Sequence, residues 1–151
     1  MFKNQCNEGQ NPSSPMIDQG TKPAVINIKE ATKINKNFRT TLWTGDFLQL
    51  TVMCINPGNE IGAEMHSNVD QFIRVEQGMA SVMFGCSEYT LTQKACIDSE
   101  YAIIIPAGVW HNIVNTGDIP LKVYSIYAPI QLPYNTIHIT KADALKAEHD
   151  H

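Results

Sequence analysis

The sequence has little of what marks membrane proteins and nucleic-acid binders. Its longest central aliphatic run, residues 102–105, stops at Pro106, far short of the ~20 apolar residues that a membrane-spanning helix needs. Charged residues make up only 17% of the chain, the net charge is −4, and Lys and Arg are scattered without a basic run. We therefore expect neither a nucleic acid nor a membrane as a partner.

Features of secreted proteins are also scarce. The chain has four cysteines, Cys6, Cys54, Cys86 and Cys96, and they show neither C-x-x-C pairing nor zinc-finger spacing. The first twenty residues are polar and contain no apolar segment typical of a signal peptide. This pattern predicts free thiols and a cytoplasmic location.

What is present is enough for one folded domain. The chain has 151 residues, of which 43% are hydrophobic, which suits a single core. We expect a flexible polar leader over residues 1–22, one β-barrel over residues 23–139, and a short helix and tail over residues 140–151. Thr140 can cap this helix with Asp143 three residues on, and the helix should end near Glu148.

The middle of the chain consists of short strand-like segments separated by Gly, Pro, Asn and Asp. Such spacing predicts an all-β sandwich or barrel. The strand candidates are Ala24–Ile28, Thr40–Trp43, Leu48–Ile55, Ile61–His66, Gln71–Gln77, Ala80–Phe84, Ala102–Ile105, Trp110–Asn115 and Leu121–Tyr127.

Four polar residues form a candidate metal site. Glu64 and His66 are two residues apart, which in a strand places both side chains on one face. Gln71 follows a tight turn, and His111 follows the rigid turn Pro106-Ala107-Gly108. Two imidazoles, a carboxylate and an amide oxygen suit one divalent ion. The alternative is a metal-free cluster of hydrogen-bonded polar groups.

In these residues the chain resembles the cupin superfamily. The first cupin motif runs Gly, five residues, His, one, His, three or four, Glu, six, Gly, and the second ends Pro-x-Gly-x-x-His-x-x-x-Asn. The matching positions here are Gly58, Glu64, His66, Gln71 and Gly78, then Pro106, Gly108, His111 and Asn115. The resemblance covers roughly residues 40 to 128. It implies a jelly-roll-like antiparallel β-barrel with one metal ion and a homodimer.

The departures from the motifs are specific. Glu64 stands for a histidine, Gln71 for the glutamate, and Glu100 for the glycine that usually opens the second motif. The first two changes keep one anionic ligand but exchange an imidazole for an amide oxygen. This harder set favours Mn, Fe or Zn over Cu, and the candidate ions are Zn, Mn, Fe and Ni.

A narrower resemblance is to small bacterial cupins of the mannose-6-phosphate-isomerase-like group. It depends on four strings, 41–45 (TLWTG), 70–74 (DQFIR), 106–112 (PAGVWHN) and 124–129 (YSIYAP). That group tends to carry two histidines in its tail; here Gln131-Leu132 replaces the first, and His138 remains. Tyr127 and His138 are candidate substrate-binding residues at the rim of the pocket.

Three functions remain open. The first is a metal-dependent isomerase, epimerase or tautomerase acting on a small oxygen-rich metabolite such as a sugar or keto acid, with Glu64 as the candidate base. The second is a non-catalytic protein that binds or senses a small molecule, which the few acid–base groups favour. The third is a non-haem metal dioxygenase, although only two imidazoles are present.

Strand alternation bears on the pocket and on assembly. Residues 47–55 place a mixed set of side chains on one face and an aliphatic set on the other, and the sequence does not decide which face lines the pocket. Edge strands, an aliphatic outer face and the candidate strand Ala24–Ile28 predict a homodimer.

Overall fold

The computed structural model describes residues 16–149, which fold into a predominantly antiparallel β-structure with two helices. This confirms the predicted all-β, jelly-roll-like architecture with a short C-terminal helix. The helices are α1 (Ile28–Ile34) and α2 (Lys141–His149). The strands are β1 (Arg39–Thr44), β2 (Gln49–Ile55), β3 (Asp70–Gln77), β4 (Ala80–Gly85), β5 (Thr92–Ile97), β6 (Ala102–Ile105), β7 (Trp110–Asn115), β8 (Leu121–Ala128) and β9 (Ile137–His138).

Two sheets enclose the core. The larger has the order β6-β3-β8-β2-β1-β9 and the smaller the order β5-β4-β7. Alternate side chains of both sheets meet in one hydrophobic cluster, to which β3 contributes Ile73 and Val75, β7 Ile113 and β8 Val123. Each fully buried aliphatic side chain contributes about 1.5–3 kcal/mol, so this layer holds the sheets face to face.

Strand β2 settles which face of residues 47–55 points inward. Gln49, Thr51 and Met53 of the mixed face are almost fully buried, and Met53 belongs to the main core. Val52, on the aliphatic face, instead packs with Ala31 of α1. The mixed face therefore points into the barrel.

The predicted strand Ala24–Ile28 is wrong, because helix α1 begins at Ile28. The Asn27 side chain caps the helix by accepting a hydrogen bond from the Glu30 N–H at 3.1 Å. Asn followed three residues later by Glu is a helix-start signal. Here it prevails over the β-branched residues that suggested a strand.

The predicted strand Ile61–His66 is also wrong as a regular strand. The segment forms two isolated bridges, Glu60 with Val114 and Glu64 with His111. Gly62 has a φ of 102°, a left-handed conformation that interrupts a ladder.

Two further strands were not predicted. Strand β5 is mostly exposed and has a mixed polar sequence, and β9 has only two residues. The other strand candidates match β1–β4 and β6–β8 to within a residue or two. The C-terminal helix is confirmed: the Asp143 N–H donates to the Thr140 hydroxyl and the Thr140 N–H donates to the Asp143 carboxylate.

Most of the predicted leader, residues 1–15, lies outside the described residues, as does Cys6. The described remainder contacts the barrel through Asp18, whose carboxylate accepts hydrogen bonds from the Thr44 hydroxyl and the Asn135 N–H. The domain boundaries stay predictions. Cys54, Cys86 and Cys96 are free thiols, and within residues 16–149 no helix is long and apolar enough to cross a membrane.

Candidate metal centre

Glu64 and His111 face each other across one antiparallel bridge. The Glu64 N–H donates to the His111 carbonyl at 3.0 Å, and the His111 N–H donates to the Glu64 carbonyl at 2.9 Å. Residues paired in this way send their side chains to the same face. The backbone register of β7 therefore sets the distance between the carboxylate and the imidazole.

His66 is brought to the same place by the turn Pro106-Ala107-Gly108, which precedes β7. The Gly108 N–H donates to the His66 carbonyl at 2.8 Å, and Gly108 has a φ of 84°. This left-handed conformation favours glycine. The turn before β7 therefore holds the loop that carries His66.

The three side chains form a compact set of candidate ligands. Oε1 of Glu64 lies 3.4 Å from Nε2 of His111 and 3.6 Å from Nε2 of His66, and the ligand atoms of all three residues lie within 4.8 Å of one another. Two ligands on one tetrahedral zinc ion, each about 2.1 Å from it, are about 3.4 Å apart. The spacing therefore suits a single ion.

The hydrogen bonding of the histidines also fits a metal. Nε2 is buried in both rings and has no hydrogen-bond partner within the described part of the chain. Nδ1 of His111 lies 3.0 Å from the Val109 carbonyl. Because a carbonyl only accepts, Nδ1 carries the hydrogen, which leaves the Nε2 lone pair of the neutral ring free to coordinate.

Glu64 is held in its ionised form. Its burial opposes ionisation, but the neighbouring nitrogens of His111 and His66 and the charge of Arg39 outweigh that effect and hold the pKa of Glu64 well below its usual range. The set therefore offers an anionic oxygen and two ring nitrogens.

Gln71 is linked to this group through its strand pairing with Tyr127, which contacts His66. Its side chain is 3% exposed, its Nε2 lies 3.4 Å from Oγ of Ser125, and its Oε1 has no hydrogen-bond partner among residues 16–149. Gln71 pairs with Tyr127 on β8, and the Tyr127 ring packs edge-on to His66 at 5.7 Å between centroids. An amide oxygen without a donor is compatible with a metal ligand, and this role of Gln71 stays a prediction.

A cavity of about 290 Å³ opens on Glu64 and His66, and the two predicted rim residues, Tyr127 and His138, both line it. Burial and the Glu64 charge raise the pKa of Tyr127 to about 12 despite the opposing charge of Arg39, so the phenol keeps its proton. Burial and the Arg39 charge lower the pKa of His138, so its imidazole tends to be neutral. Their contact with a substrate stays a prediction.

Sequence reasoning missed part of this cavity wall. Arg39, Gln131, Thr136 and Glu148 also line it, and none of them lies in a cupin motif. The available signal for Arg39 was a charged residue opening a strand of otherwise uncharged residues, 39–44 (RTTLWT).

The fold and the site define the class of protein. The sequence profile of the cupin domain family matches residues 51–127, the segment that runs from β2 through the candidate ligands to β8. The chain belongs to the cupin domain family.

Particular relatives agree with this assignment. The chain is 53% identical over 131 residues to the uncharacterized protein YrkC of Bacillus subtilis (strain 168), covering 87% of this chain and 70% of YrkC. It is 35% identical over 130 residues to the uncharacterized protein L612 of Acanthamoeba polyphaga mimivirus, covering 83% of this chain and 78% of L612. The crystal structure of BH2720 from Bacillus halodurans is similar with a TM-score of 0.84 and 51% identity, covering 86% of this chain and 98% of that one.

Proposed function

We propose that this cupin binds one divalent ion, Zn, Mn, Fe or Ni, through Glu64, His66, His111 and Gln71, and acts on a small oxygen-rich metabolite. The observation that carries the proposal is a compact group in which two imidazole nitrogens lie 3.4 and 3.6 Å from one carboxylate oxygen and have no hydrogen-bond partner in the described part of the chain. Its position on a cavity large enough for a small metabolite supports a role in ligand binding.

The reaction that we propose is an isomerisation, epimerisation or tautomerisation. The bound ion would supply Lewis-acid polarisation of a ligand oxygen. The Tyr127 hydroxyl would donate a hydrogen bond to the ligand, because the phenol keeps its proton. His138, with a lowered pKa, would accept a proton from the substrate. Glu64 is a weaker base than the sequence suggests, because its pKa is well below its usual range.

The test of the reaction is proton exchange in heavy water. Protein stripped with a chelator and reloaded with Zn, Mn, Fe or Ni would be incubated with small keto acids and keto sugars, and deuterium uptake followed by NMR. We expect uptake at the carbon next to the carbonyl with loaded wild-type protein and a large loss in His138→Gln. Uptake at the same rate without protein would contradict the proposal, and oxygen consumption by the iron-loaded protein would favour a dioxygenase.

A non-catalytic binding protein is the second candidate. It is favoured by the acid–base inventory of the cavity, since Tyr127 keeps its proton and Glu64 lies between two imidazoles. Ligands that raise the melting temperature without proton exchange or turnover would support this candidate over the isomerase.

Three finer predictions belong with this proposal: a homodimer, a cytoplasmic location and membership of the mannose-6-phosphate-isomerase-like group. The homodimer is supported by a groove lined by Ala24, Ile26, Trp43, Leu48 and Leu50, beside which Val25 and Phe47 are exposed. Light scattering on the purified full chain tests it; a monomer mass at micromolar concentration would contradict it.

A further inference from the structure

Arg39 is a buried cation that forms no direct ion pair with a described carboxylate, although its charge acts on Glu64 from a longer distance. Only 5% of its surface is exposed, and within residues 16–149 no carboxylate forms an ion pair with it and its Nε has no hydrogen-bond partner. One of its contacts is the Sδ atom of Met53 at 3.9 Å from Nη2. The guanidinium carbon also lies 5.5 Å from the centre of the Phe38 ring.

Such a position is unfavourable unless something compensates the charge. A buried charge is strongly destabilising when it has no direct partner, and much of that cost is recovered when an anion binds to it. The planar guanidinium presents parallel N–H groups that match an oxyanion in two contacts. An anionic ligand would accept a hydrogen bond from the Nε that residues 16–149 leave without a partner.

The sheet register determines the face of the sheet on which the Arg39 side chain lies. Arg39 on β1 and His138 on β9 are directly opposite each other, so their side chains share a face. Both line the cavity that also contains Glu64 and His66. Nδ1 of His138 is likewise buried and unpartnered among the described residues.

We infer that Arg39 binds the carboxylate of a small organic acid, whose remaining oxygens face Glu64 and His66. The inference rests on the proposed function and narrows its substrate from a small oxygen-rich metabolite to a hydroxy or keto acid. A neutral sugar would offer Arg39 no anionic oxygen to pair with directly.

The charges of the cavity favour a monoanion. Its described lining contains one guanidinium, Arg39, and two acidic side chains, Glu64 and Glu148. Glu64 and Glu148 would repel any anion, and they would repel a phosphate dianion about twice as strongly as a monoanion, since the interaction scales with charge. A carboxylate matches the single guanidinium in charge and shape.

The test compares glycolate with its neutral isostere glycolamide and with inorganic phosphate. Binding to the full chain would be measured by calorimetry, in chelator-stripped and in Mn-loaded protein. We expect wild type to bind glycolate about ten- to a hundredfold more tightly than glycolamide, as hydrogen bonds to a buried charge imply. Arg39→Met should lose that preference, and Arg39→Lys should keep part of it.

Arg74→Met is the matched control. Arg74 lies on β3, pairs with Glu76 at 3.1 Å and is not among the residues that line this cavity, so its loss should leave glycolate binding unchanged. Equal binding of glycolate and glycolamide by wild type would overturn the inference without any variant. It would also be overturned if Arg39→Met or Arg39→Lys, folded by circular dichroism, kept the full preference.

The remaining outcomes separate the two proposals. Phosphate that binds more tightly than glycolate and depends on Arg39 would overturn the carboxylate assignment. Glycolate binding that depends on Arg39 in a protein that takes up no metal would refute the metal site and leave this inference standing. Metal uptake by a protein that binds glycolate no more tightly than glycolamide would support the metal site and overturn the carboxylate inference.

Discussion

Two buried glutamines of the same barrel should respond oppositely to replacement by leucine. Gln49 is fully buried, and its amide is satisfied: Nε2 donates to the Thr44 hydroxyl at 3.0 Å and the Leu132 carbonyl at 2.8 Å, and Oε1 accepts from the N–H groups of Gln131 and Leu132. Among residues 16–149, Gln71 has one long hydrogen bond, to Ser125 at 3.4 Å, and its Oε1 has no partner. If the role of Gln71 is to bind a metal ion, its buried amide oxygen should lower the stability of the metal-free protein.

The magnitudes follow from these counts. Each satisfied hydrogen bond contributes about 1 kcal/mol, and a buried group without a partner costs about 1–3 kcal/mol. Gln49→Leu removes four bonds and strands their partners, so we expect a loss of about 3 kcal/mol. In Gln71→Leu, relief of the unpaired oxygen outweighs one weak bond, and we expect a gain of about 1 kcal/mol.

Thermal unfolding of chelator-treated protein measures both effects. For a domain of this size, 1 kcal/mol corresponds to about 2–4 °C in melting temperature. We expect a rise of about 2–4 °C for Gln71→Leu and a fall of about 6–12 °C for Gln49→Leu. Added metal should stabilise wild type more than Gln71→Leu. If metal-free Gln71→Leu melts well below metal-free wild type, the reasoning is refuted, because Oε1 of Gln71 in the wild-type protein must then have an internal hydrogen-bond partner.

Two further changes test local features of the fold. Burial opposes ionisation of Asp18, but hydrogen bonds from Thr44, Asn135 and Gly20 hold its pKa below the usual 3.8; Asp18→Asn should therefore cost about 2 kcal/mol at pH 7. A carboxyl group whose pKa is lower in the folded state stabilises the protein above its unfolded-state pKa, and this stabilisation is lost as the pH falls through the folded-state pKa. The stability deficit of Asp18→Asn in urea unfolding should therefore shrink below pH 4. A deficit that stays constant with pH would contradict this prediction. Glu100 has a φ of 79°, so Glu100→Gly should raise the free energy of unfolding by about 1 kcal/mol; a destabilised variant in the same assay would show that the Glu100 side chain contributes more than its backbone costs.

The motif glycines explain why the fold was predictable from sequence. Gly58, Gly78 and Gly108 all have positive φ, between 80° and 96°, so the spacing of the motifs records where the chain must turn. Glu100 keeps the left-handed conformation at the position where the second motif usually has glycine. The positions of these turns are therefore encoded locally.

The grouping of the candidate metal ligands was predictable for a related reason. Glu64 and His66 reach one site although their segment is not a regular strand, because backbone hydrogen bonds to His111 and Gly108 tie both residues to the second motif. The side chains of Glu64, His66 and His111 therefore lie together, as their spacing predicted, while the assumed strand geometry was wrong. Their binding of a metal stays a prediction.

The rest of the cavity depends on pairing between distant segments. Arg39 enters the cavity because β1 pairs with β9, which has only two residues. So short a strand has no detectable period. Helix α1 was missed because its start signal, Asn27, lies within a short segment whose apolar and β-branched residues also suit a strand.

The central claim is the metal site, and metal content by elemental mass spectrometry on untagged protein tests it most directly. Two variants, His66→Ala and His111→Ala, remove candidate ligands of the cluster, and Gln71→Ala removes the weaker candidate ligand. His149→Ala is the control, because His149 lies at the end of α2 and outside the cluster. We predict close to one divalent ion per chain in wild type and His149→Ala, little in the two cluster variants, and a reduced amount in Gln71→Ala. Equal metal content in all five proteins, or none in any of them even after loading, would contradict the account.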